Sequence, residues 1–355
     1  MTTDGELCCP ASTRWMAALD RVAHDAYHHP AYVEFDANYC AGRPVGFLYE
    51  ESGHVFLLPL VLRMIPGTDR CDAVSPYGYP SPISDTQDQR LWDAAVDALV
   101  RKLGAEGSVS CFVRMHPLLG AQHASLARVG TLAYHGDTVS IDLRRSEEEM
   151  WQQVRGNHRR HIHRARRLGR MTAIDDWGFL DDFIDIYHET MRRVGAADYY
   201  FFPHSYFAAL RDALGECLHL AVVLADGTAI GGGLFFEEDG IVQYHLGGSR
   251  AAYLPEQPSK LLIDDVRRWA SARGNTALHL GSGVGGRNNP LFHFKAGFSD
   301  ARHEFHTWRI VLDPDEYGRL TVTRNPQAAS VSANGNANAN GNGNGNGYFP
   351  AYRTP

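Results

Sequence analysis

The chain has 355 residues, 44% hydrophobic and 21% charged, enough apolar material for two ordinary domain cores, which excludes a disordered or fibrous protein. Its formal charge of −7 excludes a protein that coats nucleic acid through its overall field, so any such contact must come from a local basic patch. No apolar run approaches the ~18 residues that span a bilayer, and the opening MTTDGELCCPAS lacks the basic and apolar regions of a secretory signal, so a cytoplasmic protein without membrane insertion is expected.

In chain order, FLLPLVL (56–62) reads as a buried strand and SPYGYPSP (75–82) as a loop stiffened by Pro and Gly. Leu91, Ala95, Leu99 and Leu103 have helical spacing, with Gly104 as the expected stop. SVSCFVRM (108–115) and TVSIDL (138–143) read as strands. Ser146 and Glu149 form an S-x-x-E capping box, and a domain boundary is placed there. Gly156-Asn157 predicts a helix stop and a new N-cap, followed by a helix to Gly169. A helix at about 178–194 and a short one led by Pro203 come next. Three strands (218–224, 229–236, 241–247) are joined by the hairpin signals Asp226-Gly227 and Asp239-Gly240. A helix from about Pro258 to Arg273, a strand ALHLG (277–281) and a strand pair around 303–312 complete the pattern. The expected organisation is a domain at 1–145, a second at 146–312, a return segment at 313–325 that packs on the first, and a tail at 326–355. SANGNANANGNGNGNG (332–347) has almost nothing to bury, so this tail is expected to be disordered and a dispensable extension, the competing reading being a partner-binding tail that ends in YFPAYRTP.

Three constellations carry chemistry. VRGNHRRHIHRARRLGR (154–170) holds seven arginines, and there is no acid between 150 and 174. Arginine forks suit phosphate oxygens; the competing reading is a solvated helix whose charges pair with acids elsewhere. A metal site at His158, His161 and His163 is rejected because the arginines repel a cation and no carboxylate or thiol completes the shell. GSGVGG (281–286) formally matches a dinucleotide loop, but RNNP follows instead of a helix, and the next segments read as one short helical turn and a hairpin rather than a second strand ending in the required acid. The six cysteines show no ligand spacing and read as reduced thiols. LFHFKAGFS (291–299) contains Lys295, one of three lysines against 31 arginines. A compact ammonium near an acyl centre would stabilise the oxyanion of a tetrahedral intermediate.

The order of elements resembles the C-terminal half of a GNAT acyltransferase, and the strings resemble those of the Fem-type aminoacyltransferases. They are Trp151 with Arg159-Arg160-x-Ile162-x-Arg164-Ala165-Arg166-x-Leu168-Gly169, then Thr190-x-x-Arg193-x-Gly195, Tyr244-His245-Leu246-Gly247-Gly248-Ser249, and Leu291-Phe292-x-Phe294-Lys295-x-Gly297-Phe298. Pro59-Leu60 and Ser75-Pro76-Tyr77-Gly78-Tyr79 are similar to the first of the two GNAT-like domains in such proteins. The resemblance implies an α/β (α+β) protein with two GNAT-like domains in tandem, mixed sheets with flanking helices, and no coiled-coil arm.

It further implies amide formation, with an aminoacyl group moving from aminoacyl-tRNA to the amine of a peptidoglycan precursor or peptide-like metabolite. Lys295 would hold the oxyanion and Phe294 would lie beside the terminal adenosine. Tyr244 and His245 are candidates for the base. Arg159, Arg160, Arg164 and Arg167 would follow the RNA backbone, and Arg193, Tyr77 and Arg287 would contact the acceptor. No metal and no cofactor are expected, with charged tRNA as donor, a small peptide-like or nucleotide-linked acceptor, and a state compatible with a monomer. The alternative is an acyl-CoA-dependent N-acyltransferase using acetyl-CoA. Against it, the stretch RAAYLPEQPSKLL (250–262) has no glycine, two prolines that delete backbone donors, and Glu256 where phosphates would sit.

Overall fold

The structure is a computed structural model that describes residues 4–324 and 348–353. The chain divides into two compact units, the first comprising residues up to Gly136 and from Glu304 onward, the second Asp137–His303.

The first unit opens with β1 (Glu6–Cys8), α1 (Thr13–Leu19), α2 (Pro30–Tyr39), β2 (Arg43–Glu51), β3 (His54–Met64), β4 (Cys71–Val74) and β5 (Ile83–Ser84). α3 (Gln89–Ala105), β6 (Ser108–Arg114) and α4 (His123–Ala127) follow. Residues 55–62 of β3 are buried on both faces, which is why this strand reads as an unbroken apolar run. α3 starts where the Asp88 carboxylate accepts the Arg90 N–H, and it buries Leu91, Ala95, Leu99 and Leu103 as the spacing required. It runs through Gly104, the expected stop, because an αR glycine in the last turn is tolerated. The chain turns instead at Gly107, which has φ +77°.

β7 (Thr131–Asp142) leads into the second unit, followed by α5 (Glu147–Gln153), α6 (Gly156–Arg167), β8 (Met171–Ile174), α7 (Leu180–Val194) and α8 (His204–Leu214). Then come β9 (Leu218–Ala225), β10 (Thr228–Glu238), β11 (Ile241–Ser249), α9 (Pro258–Ala272), β12 (Ala277–Gly281) and α10 (Pro290–Lys295). The chain returns to the first unit through β13 (Arg302–Val311) and α11 (Pro314–Arg324). The strand pair expected at 303–312 is one continuous strand. The capping box of Ser146 and Glu149 starts α5 as read. α6 begins two residues earlier than expected, with Arg155 as N-cap and Asn157 inside the first turn. The tail expectation falls outside the described residues at 325–347; residues 348–353 are described and pack on the first unit.

The sheet of the first unit runs β1-β2-β3-β4-β6-β13, antiparallel except for β4 and β6. That of the second runs β7-β12-β11-β10-β9-β8, antiparallel except for β11 and β12. α9 is the crossover that a parallel pair needs. It packs Leu261, Leu262, Ile263, Val266 and Ala270 into the core of the second unit, and its fully buried Arg267 bonds Asp264 and Glu147, pinning α5 to α9. α7 lies close on β11 because residue 248 has no side chain: a Cβ there would meet the Ile186 carbonyl at 2.9 Å.

Candidate active site

The site grows from a defect in the parallel pair. β11 and β12 pair only from Ile241↔Ala277 to Gln243↔His279. One residue later β11 bulges: Phe235 of β10 opposes Tyr244 and Leu234 opposes Leu246, which leaves His245 as the extra residue. A bulge bends its strand and disrupts the ladder, so β11 and β12 part beyond this point and leave a fork.

Lys295 ends α10 at the edge of that fork. Asn289 caps the helix by accepting the Phe292 N–H, and Pro290 occupies the first turn, where no amide donor is needed. The Lys295 side chain is buried, its ammonium donating to the Ser282 carbonyl at 2.7 Å just past the end of β12. The Tyr244 ring lies 5.8 Å from the same nitrogen. No carboxylate pairs with Lys295 among the described residues, and burial lowers its pKa from 10.5 to about 7. The amine is therefore divided between its charged and neutral forms near neutral pH.

The next turn is locked to α6. His158 is buried, with Nε2 donating to the Phe294 carbonyl at 3.0 Å and its ring edge-on to Phe298 at 4.8 Å. Burial lowers its pKa to about 4, so it is a neutral strut. Gly297 allows this contact, since a Cβ there would lie 2.4 Å from His158 Nε2. The Arg155 N–H donates to the Gly297 carbonyl at 2.8 Å. Lys260 of α9 is a second buried cation, with Nζ 3.3 Å from His161 Nδ1 and its pKa lowered by burial.

The structure thus brings Lys295, Phe294 and Tyr244 together. Burial raises the Tyr244 phenol to about 12, making it a donor and not a base at neutral pH. His245 is not brought to Lys295. Tyr244 stacks on Phe235 at 5.1 Å and His245 on Phe236 at 4.3 Å, and Phe235 and Phe236, successive residues in the regular pairing of β10 with β9, face opposite sides. Burial lowers its pKa to about 3, which keeps it neutral. Arg159 donates to Gln152, and Arg160, Arg164 and Arg167 are exposed, with no ion pair among the described residues. Arg166 and Arg170 do find acids, Asp264 and Asp265 for the first and Glu256 and Asp226 for the second. Arg193 holds the Ser249 carbonyl at 3.0 Å and Thr190 at 3.2 Å, fastening α7 to the end of β11. Arg287 is exposed in the loop after β12. Tyr77 belongs to the first unit, where its carbonyl accepts the Tyr32 hydroxyl at 2.8 Å.

Sequence reasoning missed His158, Lys260 and Ser282 as parts of the site. The one available signal was Gly297 following a Phe-Lys pair, which marks a close approach by an unspecified partner. Glu256 also needs correcting: its carboxylate is held by Arg170 at 2.9 Å, so it is neutralised where it stands. A different acid reaches the loop after β11, Glu189 of α7, whose Oε1 accepts the Ala251 N–H at 2.6 Å.

Residues 152–295 match the family model described as an acetyltransferase (GNAT) domain. No curated protein matches the chain significantly. Among solved structures, FemX is 14% identical, with 81% of this chain and 92% of that one covered at a TM-score of 0.66. The C-terminal domain (DUF2156) of a putative lysylphosphatidylglycerol synthetase from Agrobacterium fabrum is 14% identical, covering 83% and 90% at 0.55. L-PGS from Bacillus licheniformis is 14% identical, covering 84% and 91% at 0.56. None of the helices among the described residues is long and apolar enough to cross a membrane. Residues 152–295 therefore match a GNAT acetyltransferase domain, and the chain is similar in fold to FemX.

Proposed function

We propose that the protein transfers an aminoacyl group from aminoacyl-tRNA to the amine of a peptide-like or nucleotide-linked acceptor. The observation that carries this reading is the buried Lys295, without a carboxylate, in the fork between β11 and β12. The acceptor nitrogen attacks the ester carbonyl, forming the C–N bond and driving the carbonyl electrons onto oxygen. The Lys295 ammonium stabilises that oxyanion, where a charge held in a dry site counts for more than in water. When the intermediate collapses the ester C–O bond breaks, and the departing ribose oxygen takes the proton lost by the attacking amine. Lys295, whose pKa burial lowers to about 7, can relay that proton.

Two observations favour tRNA over CoA as donor. Arg160, Arg164 and Arg167 recur at helical spacing as an unpaired track for phosphates. The loop after β11 offers a poor cradle for a pyrophosphate: Glu189 holds the Ala251 N–H, and Pro255 and Pro258 have none to offer. FemX, the neighbour with a TM-score of 0.66, supports the Fem-type reading at the level of fold. The test supplies purified protein and a candidate acceptor amine with charged tRNA or acetyl-CoA, and follows product mass. Transfer that needs charged tRNA and stops after RNase treatment is expected. RNase-insensitive transfer from acetyl-CoA alone would replace this reading with the N-acyltransferase one.

A further inference from the structure

Residues 348–353 contact the first unit in a way that chain continuity does not require. Between α11, which ends at Arg324, and Tyr348 lie 23 residues whose only large apolar side chain is Val331. Beyond this stretch comes a short run dense in recognition groups. The Phe349 ring stacks on Tyr317 at 5.8 Å and on Phe112 at 6.1 Å, with the Arg309 guanidinium 5.9 Å away. Tyr352 is 2% exposed and packs among Ile65, Val109 and Leu320. Its hydroxyl reaches the buried Ser110 Oγ at 2.8 Å. Arg353 pairs with Asp72, a carboxylate at 0% exposure that Arg63 also holds at 2.9 Å, and donates to the Met64 carbonyl at 2.9 Å. The Ala351 N–H donates to the Tyr317 hydroxyl at 3.0 Å.

These partners come from β3 and the turn that follows it, β4, β6, β13 and α11, all outside the segment itself. They offer an aromatic slot, a deep hydroxyl pocket and a buried carboxylate, in the order that Phe, Tyr and Arg reach them. We propose that this face is a peptide-binding site whose ligand is the chain's own segment Phe349–Arg353, held as a tethered and exchangeable occupant. The class of ligand is a short peptide with an aromatic residue three positions before a Tyr-Arg pair. Covalent geometry lets 23 residues span at most about 80 Å, so the segment can dock on its own first unit or on that of a second copy. Tethering sets an effective concentration on the order of mM, against which any free peptide must compete.

The test uses the full chain. In the variant Tyr352→Ala with Arg353→Ala the site is vacated, and far-UV circular dichroism and thermal unfolding confirm the fold. A fluorescein-labelled synthetic peptide of residues 347–355 should bind this variant saturably by anisotropy. Adding Asp72→Asn, or replacing Arg with Glu in the peptide, should abolish that binding. Wild-type chain should bind the peptide at least about tenfold more weakly, because its own segment competes. No saturable binding to the folded vacated variant overturns the proposal, as does equal binding to wild type. Should the vacated variant fail to fold, hydrogen exchange on wild type decides. Amides of 351–353 should exchange much faster than those of β6, and exchange only on global unfolding would make the segment an integral part of the fold.

Discussion

Each unit contains one parallel strand pair, β4 with β6 in the first and β11 with β12 in the second, and the two pairs end differently. In the first, Ser75 continues the pairing past β4: its N–H donates to Phe112 O at 2.8 Å, and its hydroxyl accepts the Arg114 N–H at 3.0 Å. The Arg114 guanidinium adds a bond to the Ser75 carbonyl at 3.2 Å, and the strands stay zipped. In the second, the bulge at His245 ends the pairing at Gln243 and the strands part around Lys295. The first pair also takes an extra residue, in β6 between Cys71↔Ser108 and Ala73↔Cys111, and pairs again beyond it, whereas the second does not pair again after Gln243↔His279. The buried charges differ likewise. Asp25 in the first unit is a carboxylate at 0% exposure; burial pushes its pKa up, but His116 at 2.7 Å and His28 at 3.3 Å together outweigh burial and hold it well below the usual range. Lys295 has no such partner, so burial alone sets its pKa. A paired buried charge serves as a strut, whereas an unpaired one is chemically available.

The comparison breaks most sharply on Lys295→Met. This substitution should lower transfer by about 10²–10³-fold, the cost of losing one oxyanion donor. Asp25→Asn should lower stability by about 2 kcal/mol, the scale of a charged hydrogen bond, and leave transfer per folded molecule within about twofold. Comparable losses of transfer from both would erase the distinction between strut and reactive group.

The pH dependence sharpens the same point. If the ammonium form is required, kcat should fall about tenfold per pH unit above the Lys295 pKa of about 7. Lys295→Arg should remove that descending limb even though it is slower. Stability runs in the opposite sense. The folded-state pKa lies below the ordinary 10.5, so between pH 7 and 10.5 the unfolded chain binds a proton that the folded chain does not, and wild-type stability rises with pH. Lys295→Met should therefore raise Tm over wild type most below pH 7, with the gain shrinking towards pH 10.5.

A smaller effect tests the strut inside the second unit. Gly297→Ala places a Cβ against His158 and should detach it from the Phe294 carbonyl. We expect about a tenfold loss of transfer and a stability loss of about 1–3 kcal/mol, the range for overpacking. The smallest expected effect is on the basic track. Each of Arg160→Ala, Arg164→Ala and Arg167→Ala should reduce the slope of log affinity for tRNA against log salt by about 0.7–0.9, with unchanged turnover at saturation. An unchanged slope in all three would remove the track from the donor site.

Much of the fold was legible because its signals are local. The capping box at Ser146, the prolines that open α8 and α9, the Asp-Gly hairpins and the apolar spacing of α3 act over one to four residues. Gly104 misled because glycine is permissive at a helix end without being decisive; the left-handed φ at Gly107 is what ended the turn. The Phe294-Lys295 pair was legible as a motif, and the arginine run as a charge pattern.

What Lys295 can do was decided by tertiary structure, because desolvation depends on which groups close over it, among them the Tyr244 ring of β11 and the Ser282 carbonyl just past β12. Which arginines remain available was decided the same way. Arg166 and Arg170 were taken by acids of distant segments, while Arg160, Arg164 and Arg167 were not. His245 shows the limit most simply. It sits next to Tyr244 in sequence, yet it stacks on Phe236 while Tyr244 stacks on Phe235, and these two alternate across β10. The sequence by itself determined the elements and the residue types at the fork. The fold determined which side each residue faces, which charges are paired, and whether an amine stays charged.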